Sequence, residues 1–221
     1  AAKLAEKASA ETAEFLRTQY LPIANPNDAV GAERYAVWAR YFTGAQLDLK
    51  ATYDWGVSEL KAINDRMWEL AKLINPDAKT LREVADTLDN DPKYKVVGKE
   101  NVVKYLQDFT DAAIERMNGE FFEIDPRVAR CEARIAPEGS ASAPYYNPPS
   151  EDLSRPGTTW IPMLGKDEVS NWHLVSTWYH EAVPGHHLQF ATSAVEKDRL
   201  TRFQRTAAWI SGYGEGWALY A

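Results

Sequence analysis

The chain has 221 residues, 45% hydrophobic and 26% charged, enough for one large domain or two small ones around a packed core. A net charge of −7 argues against nucleic acid as a partner, since phosphate binding needs clustered Lys and Arg. No run of about 18 apolar residues occurs, so no segment reads as membrane-spanning, and with Cys131 as the only cysteine no internal disulfide can form.

The lone cysteine suits a reducing, cytoplasmic setting. The chain begins Ala-Ala-Lys without Met, which leaves a processed start open, and with it secretion or the cell envelope. At the other end it stops at Trp217-Ala218-Leu219-Tyr220-Ala221 with no Gly or Pro, while the pattern still reads as helix. The expectation is a single domain that continues beyond residue 221. It has a helical part over 1–120, a loop and strand part over 121–166, and a final helical part over 167–221.

In chain order, residues 2–20 read as a helix, with Leu4, Ala8, Phe15 and Leu16 on its apolar side. The Asn25-Pro26-Asn27-Asp28 turn follows, then a short aromatic helix over 31–42. Residues 50–74 read as a long helix, with Tyr53, Val57, Leu60, Asn64, Met67, Leu70 and Ile74 near helical spacing, ending at Asn75-Pro76. Thr80 followed by Glu83 marks the start of a shorter helix to Leu88. A further helix spans 99–118, before Gly119. Val128 to Ile135 alternates in part and predicts a strand, with shorter extended pieces at 142–147 and 158–163 in a Pro-, Gly- and Ser-rich region over 136–166. A long irregular segment of this kind is often a binding loop. Helix resumes over about 167–183, from about 186, and over about 199–221. The fold class is therefore mainly α with a small β element near 128–163.

All four histidines, His173, His180, His186 and His187, fall within fifteen residues, three of them in the block His180-Glu181-Ala182-Val183-Pro184-Gly185-His186-His187. The block is similar to the H-E-x-x-H zinc motif, in which two histidines one turn apart hold the metal and the glutamate works on the bound water. Here the i+4 position is Pro184. Proline lacks the N–H that a helix would need, and its ring crowds the carbonyl of His180; Gly185 relaxes the backbone further. The helix should break after Glu181, because in a straight helix His187 would lie roughly 10.5 Å along the axis from His180, too far to share one ion. Pro184-Gly185 thus reads as a two-residue insertion that returns one of the two following histidines to the metal. The run Gly185-His186-His187-Leu188 resembles the Gly-His-x-Leu of many such peptidases and favours His186, leaving His187 behind it or facing substrate. His173 reads as a packing or cleft-rim residue.

The third ligand should come from a later helix. Glu215, 29 residues after His186 in Ser211-Gly212-Tyr213-Gly214-Glu215-Gly216-Trp217, has a spacing similar to that of the downstream glutamate in zinc peptidases, and Gly214 and Gly216 would allow close packing.

The two blocks resemble those of a bacterial domain-of-unknown-function family, number 885. So do Asp28-Ala29-Val30-Gly31-Ala32-Glu33-Arg34-Tyr35, Tyr145-Tyr146-Asn147-Pro148-Pro149-Ser150 and Arg155-Pro156-Gly157. The resemblance covers the chain from about residue 10 to its end. It implies longer relatives and a fold similar to that of the carboxypeptidase Taq family of zinc peptidases: a helical, zincin-like saddle with a deep cleft and a small sheet at the active site.

The expected function is zinc-dependent hydrolysis of a peptide bond, with a carboxypeptidase as one form of it. Zn²⁺ would be held by His180, His186 and Glu215, with Glu181 as the base for the metal-bound water. An oxyanion donor is needed, with Tyr145, Tyr146 and Tyr213 as candidates; a substrate carboxylate would need a cation, with Arg155 first and Arg205 second. Expected partners are a peptide or small amide substrate and the remainder of its own chain, with no nucleic acid and no membrane. Two rival readings stand beside this one: a metal hydrolase of a non-peptide amide or ester, and a non-catalytic helical binding domain that keeps zinc for stability. The second is weakened because structural zinc sites use four ligands, usually rich in Cys.

Overall fold

The computed structural model describes residues 1–221 and is mainly helical, with two small sheets. Contacts group it into two units, residues 1–39 and 40–221. The first holds α1 (Ala2–Phe15), carried on by a π turn over Leu16–Tyr20 and a 3-10 turn over Leu21–Ile23, and most of α2 (Ala32–Thr43). The second holds the rest, including the blocks 180–187 and 211–217. No helix is long and apolar enough to cross a membrane.

Local chemistry sets the early helices of the second unit. The Asp48 carboxylate accepts from the Ala51 N–H at 3.0 Å and starts α3 (Leu49–Ile74); Asn75, extended before Pro76, ends it. The apolar stripe expected on this helix forms but is left uncovered: Tyr53, Val57, Leu60, Met67 and Leu70 are exposed, and only Ala71 is buried. Thr80 caps α4 (Leu81–Asn90), accepting from the Glu83 N–H at 3.2 Å, while the Glu83 carboxylate accepts from the Lys79 N–H at 2.6 Å. Helix α5 (Lys99–Met117) ends two residues before Gly119, which sits at φ +82°.

Three strands make the larger sheet, in the order β2-β4-β3. β4 (Gly157–Ile161) runs parallel to β2 (Cys131–Ile135) and antiparallel to β3 (Tyr145–Asn147). β2 and β3 lie inside the segments expected to be extended, and β4 starts one residue before its segment; each is shorter than expected. The smaller sheet, β1 (Lys95–Val97) against β5 (Glu168–Ser170), has no counterpart in the sequence reading, because three-residue strands show no alternation to detect.

Two helix expectations need correction. The segment expected as helix over 167–183 opens as β5 and a 3-10 turn over Asn171–His173, and α6 proper spans Leu174–Glu181. The segment expected as one helix over 199–221 is two: α8 (Arg202–Thr206), started by a Thr201–Gln204 capping box, and α9 (Ser211–Tyr220). Between them Trp209 turns its ring onto Phe190, centroids 5.5 Å apart, and tertiary packing overrides local helix preference there.

Helix α5 is the post against which the site is built. Its Val102 and Leu106 join Cys131 and Ala133 of β2, Ile161 of β4, and Leu174, Trp178 and Ala182 in one buried cluster. Trp178, fully buried, donates its indole N–H to the Leu106 carbonyl at 3.1 Å and to Thr110 Oγ1 at 2.9 Å. That satisfies the one polar atom its burial would otherwise orphan, and it fixes the rotation of α6 and so of His180 two residues on.

Candidate metal centre

The break expected after Glu181 is present. α6 stops at Glu181, and α7 (His186–Val195) begins after a four-residue turn in which the Val183–Pro184 peptide is cis. The Ala182 N–H still bonds to Trp178 O at 2.9 Å, but the next bonds lengthen in sequence: Gly185 N–H to Tyr179 O at 3.0 Å and His187 N–H to Ala182 O at 3.0 Å. A Cβ on Gly185 would lie 1.9 Å from the His180 carbonyl oxygen, so the fold back of the chain admits no side chain there.

This turn brings the His180 and His186 rings to 4.6 Å between centroids, nearly perpendicular at 81°. Glu215 arrives from α9. Its Oε2 lies 3.3 Å from His180 Nε2 and 3.6 Å from His186 Nε2, and one donor atom from each residue falls within 4.8 Å of the others. Four tetrahedral ligand atoms at zinc distances lie about 3.3–3.5 Å apart; the two Glu215 contacts are close to that, and the trio could hold a metal ion. His186 is buried, and its Nδ1 has no hydrogen-bond partner. Burial lowers its pKa, with Glu215 acting the other way, and the neutral imidazole that results is the form able to ligate.

Two contacts that the sequence reading missed hold α9 in place. Trp217 donates its indole N–H to the Pro184 carbonyl at 2.9 Å, and Gln189 of α7 donates to the Tyr213 carbonyl at 3.2 Å. Glu215 sits between these ties. Of the flanking glycines, Gly214 is needed for packing, since a Cβ there would meet the Trp209 ring at 2.6 Å; Gly216 has open space around it.

Glu181 is 8% exposed and lines the cleft with His180, His186 and Glu215. Burial, and then the Glu215 charge, push its carboxyl up to about 7. His187 does not reach the cleft, which corrects its placement as a substrate residue. It is 1% exposed, its Nε2 lies 2.7 Å from the Val128 carbonyl and its Nδ1 3.0 Å from the Tyr146 hydroxyl. A carbonyl only accepts, so Nε2 carries the proton, Nδ1 accepts, and Tyr146 donates. Burial pushes the His187 pKa down to about 4, in keeping with that neutral form. Gly157 of β4 makes room for the pair: a Cβ there would lie 2.4 Å from His187 Nδ1 and 2.5 Å from the Tyr146 hydroxyl oxygen.

The remaining candidates divide. Tyr145, Tyr146 and Tyr213 line the cleft, but the Tyr146 proton is already committed to His187. Arg155 is exposed, with its guanidinium over the Pro156 carbonyl at 3.4 Å, and it is not part of the cleft lining. Arg205 is part of that lining. His173 lies outside the cleft, its ring 5.4 Å from that of Trp172. The cleft holds about 530 Å³, the size of a small-ligand site, and Phe190, Trp209 and Ile210 form its apolar wall. The sequence reading did not single out Phe190 or Trp209 for the site, since isolated aromatics on helices read as core.

A model of a family described as "Bacterial protein of unknown function (DUF885)" matches residues 1–221. No curated protein matches the chain. Among solved structures the chain is similar to one described as "The crystal structure of the putative lipoprotein from Colwellia psychrerythraea". The TM-score is 0.73 at 23% identity, and the match covers 85% of this chain and 33% of that one. The chain thus spans about a third of the length of that structure, and the likeness speaks to the fold.

Proposed function

The chain belongs to this bacterial family of unknown function, and we propose that it carries the metal centre of a zinc-dependent hydrolase of amide bonds, most simply a peptidase of zincin-like architecture. The observation that carries this reading is the convergence of His180, His186 and Glu215 from three helices to within 4.8 Å beside the buried Glu181. Two imidazoles and a carboxylate are a donor set suited to zinc. Structural zinc sites are closed by four protein ligands; the group here has three, which favours catalysis over a purely structural role.

A zinc ion held there would supply Lewis acidity, polarising the scissile carbonyl and acidifying water. The protein's own part is proton handling and positioning. Glu181, with a carboxyl near 7, takes a proton from water and returns it to the leaving amine; beside a cation it shifts towards the carboxylate, the accepting form. Tyr146, donating to His187, braces the wall behind His186. Tyr145 and Tyr213 remain as candidate donors to the developing oxyanion. The same residues would serve a non-peptide amide or ester, and substrate trials decide between them. The lipoprotein description of the structural neighbour supports a cell-envelope setting over the cytoplasm.

The test is metal content with two variants. The protein should take up about one zinc per chain, and His180→Ala should lose it. Glu181→Gln should keep the metal yet lose hydrolysis of a library-identified peptide by ~10²–10⁴-fold. Absence of zinc uptake near neutral pH, or loss of zinc in Glu181→Gln, overturns the assignment.

A further inference from the structure

One cation in the cleft is incompletely bonded. Arg205, in the last turn of α8, lines the same cleft as the metal trio, and its side chain is 8% exposed. Its Nε–H donates to the Leu200 carbonyl at 3.4 Å and its Nη2 lies 3.6 Å from Glu151 Oε1, but Nη1 is buried with no partner. Glu151 does not neutralise it. Arg202 donates from Nε to both Glu151 oxygens at 3.1 Å and from Nη2 to Oε2 at 3.0 Å. One carboxylate thus faces two guanidiniums, and its short hydrogen bonds go to Arg202, so it offsets the Arg205 charge only in part. A guanidinium stays protonated and presents a planar fork that matches a carboxylate.

The neighbouring wall is apolar. Phe190 stacks on Trp209 at 5.5 Å and lies 5.7 Å from the His186 ring, so an aromatic surface adjoins the metal trio within the cleft. We propose that Arg205 binds a carboxylate of the substrate, so that the cleft selects amides that carry both a free carboxylate and an apolar side chain. The proposal rests on the hydrolase reading for what happens to that substrate, but the binding step needs no metal. The carboxylate has two possible sources, a chain-terminal carboxyl or an acidic side chain, and both present the same group to Arg205.

The test is calorimetric titration of metal-stripped protein, so that no ion competes for the carboxylate. The probes are N-acetyl-phenylalanine, its C-terminal amide, and N-acetyl-Asp-Phe-amide, which carries only a side-chain carboxylate. The acid should bind at least about tenfold more tightly than the amide, and Arg205→Met should abolish the difference. Arg205→Lys, which keeps the charge and with it the balance against Glu151, should retain part of the preference. The third probe assigns the source: binding like the acid points to a side-chain carboxylate being accepted, binding like the amide to a terminal one alone. Equal binding of acid and amide by the wild type, no binding of the acid, or a preference that survives in Arg205→Met overturns the proposal. Thermal melting of each variant reports folding. A metal-free preference that persists without any zinc uptake would fail the hydrolase reading while leaving the carboxylate site standing.

Discussion

The indole N–H of Trp217 donates to the carbonyl of Pro184 at 2.9 Å, joining the helix that carries Glu215 to the turn that separates His180 from His186. Pro184 lies in the turn between α6 and α7, where no backbone N–H donates to its carbonyl, so that carbonyl is free to accept from the indole. The bond therefore ties Glu215 to His180 and His186 through a single side chain.

Trp217→Phe keeps most of the ring and removes the donor. Zinc affinity should fall by about 10–100-fold, the usual cost of removing a support to a ligand, with the fold retained. Competition against a chromophoric chelator measures it. Unchanged affinity would show that α9 is held by its other contacts alone.

Gly185→Ala places a methyl 1.9 Å from the His180 carbonyl oxygen. The backbone must move, at a cost at or above the ~1–3 kcal/mol usual for overpacking, and the two histidines should separate enough to lose zinc. Gly216→Ala is the matched control: it sits in α9 with open space around it and should stabilise by ~0.5–1 kcal/mol through helix propensity. Chemical denaturation and zinc content of the pair, measured together, check both signs.

Tyr146→Phe removes the proton that His187 Nδ1 accepts at 3.0 Å and leaves a buried nitrogen unpaired. The expected loss is ~1–3 kcal/mol of stability, with zinc retained, because Tyr146 is not a ligand. Loss of zinc in a variant that stays folded would instead place Tyr146 in contact with the metal.

Cys131 is 1% exposed, and burial pushes its thiol up to about 12. The folded protein should therefore resist thiol reagents at pH 8 and react stoichiometrically only when unfolded, since the thiolate is the nucleophile. Rapid labelling under native conditions would indicate that β2 opens.

Local pattern made much of the helical frame legible. Thr80 announced the start of α4, and Asn75-Pro76 the end of α3, because caps and proline act over a few residues. Pattern failed where distant packing decides. The Trp209 contact with Phe190 divides the last helical segment, and β1 and β5 exist only because they pair with each other across more than seventy residues.

The candidate site divides the same way. By itself the sequence determined that the helix carrying His180 and Glu181 breaks at Pro184-Gly185, and that one of His186 and His187, together with Glu215, is able to complete a donor set, since donor chemistry and proline's missing N–H are properties of the residues themselves. Which of two adjacent histidines faces the trio was decided only in three dimensions: the Val128 carbonyl and the Tyr146 hydroxyl hold His187 in the wall, and Gly157 leaves the space for it. The same holds for the arginines. The sequence reading put Arg155 ahead of Arg205, yet Arg155 lies exposed and Arg205 is buried in the cleft beside a carboxylate that Arg202 also holds. Burial and partnership are set by which segments meet, and that is fixed by the packing of α6, α7, α8 and α9 around one cleft.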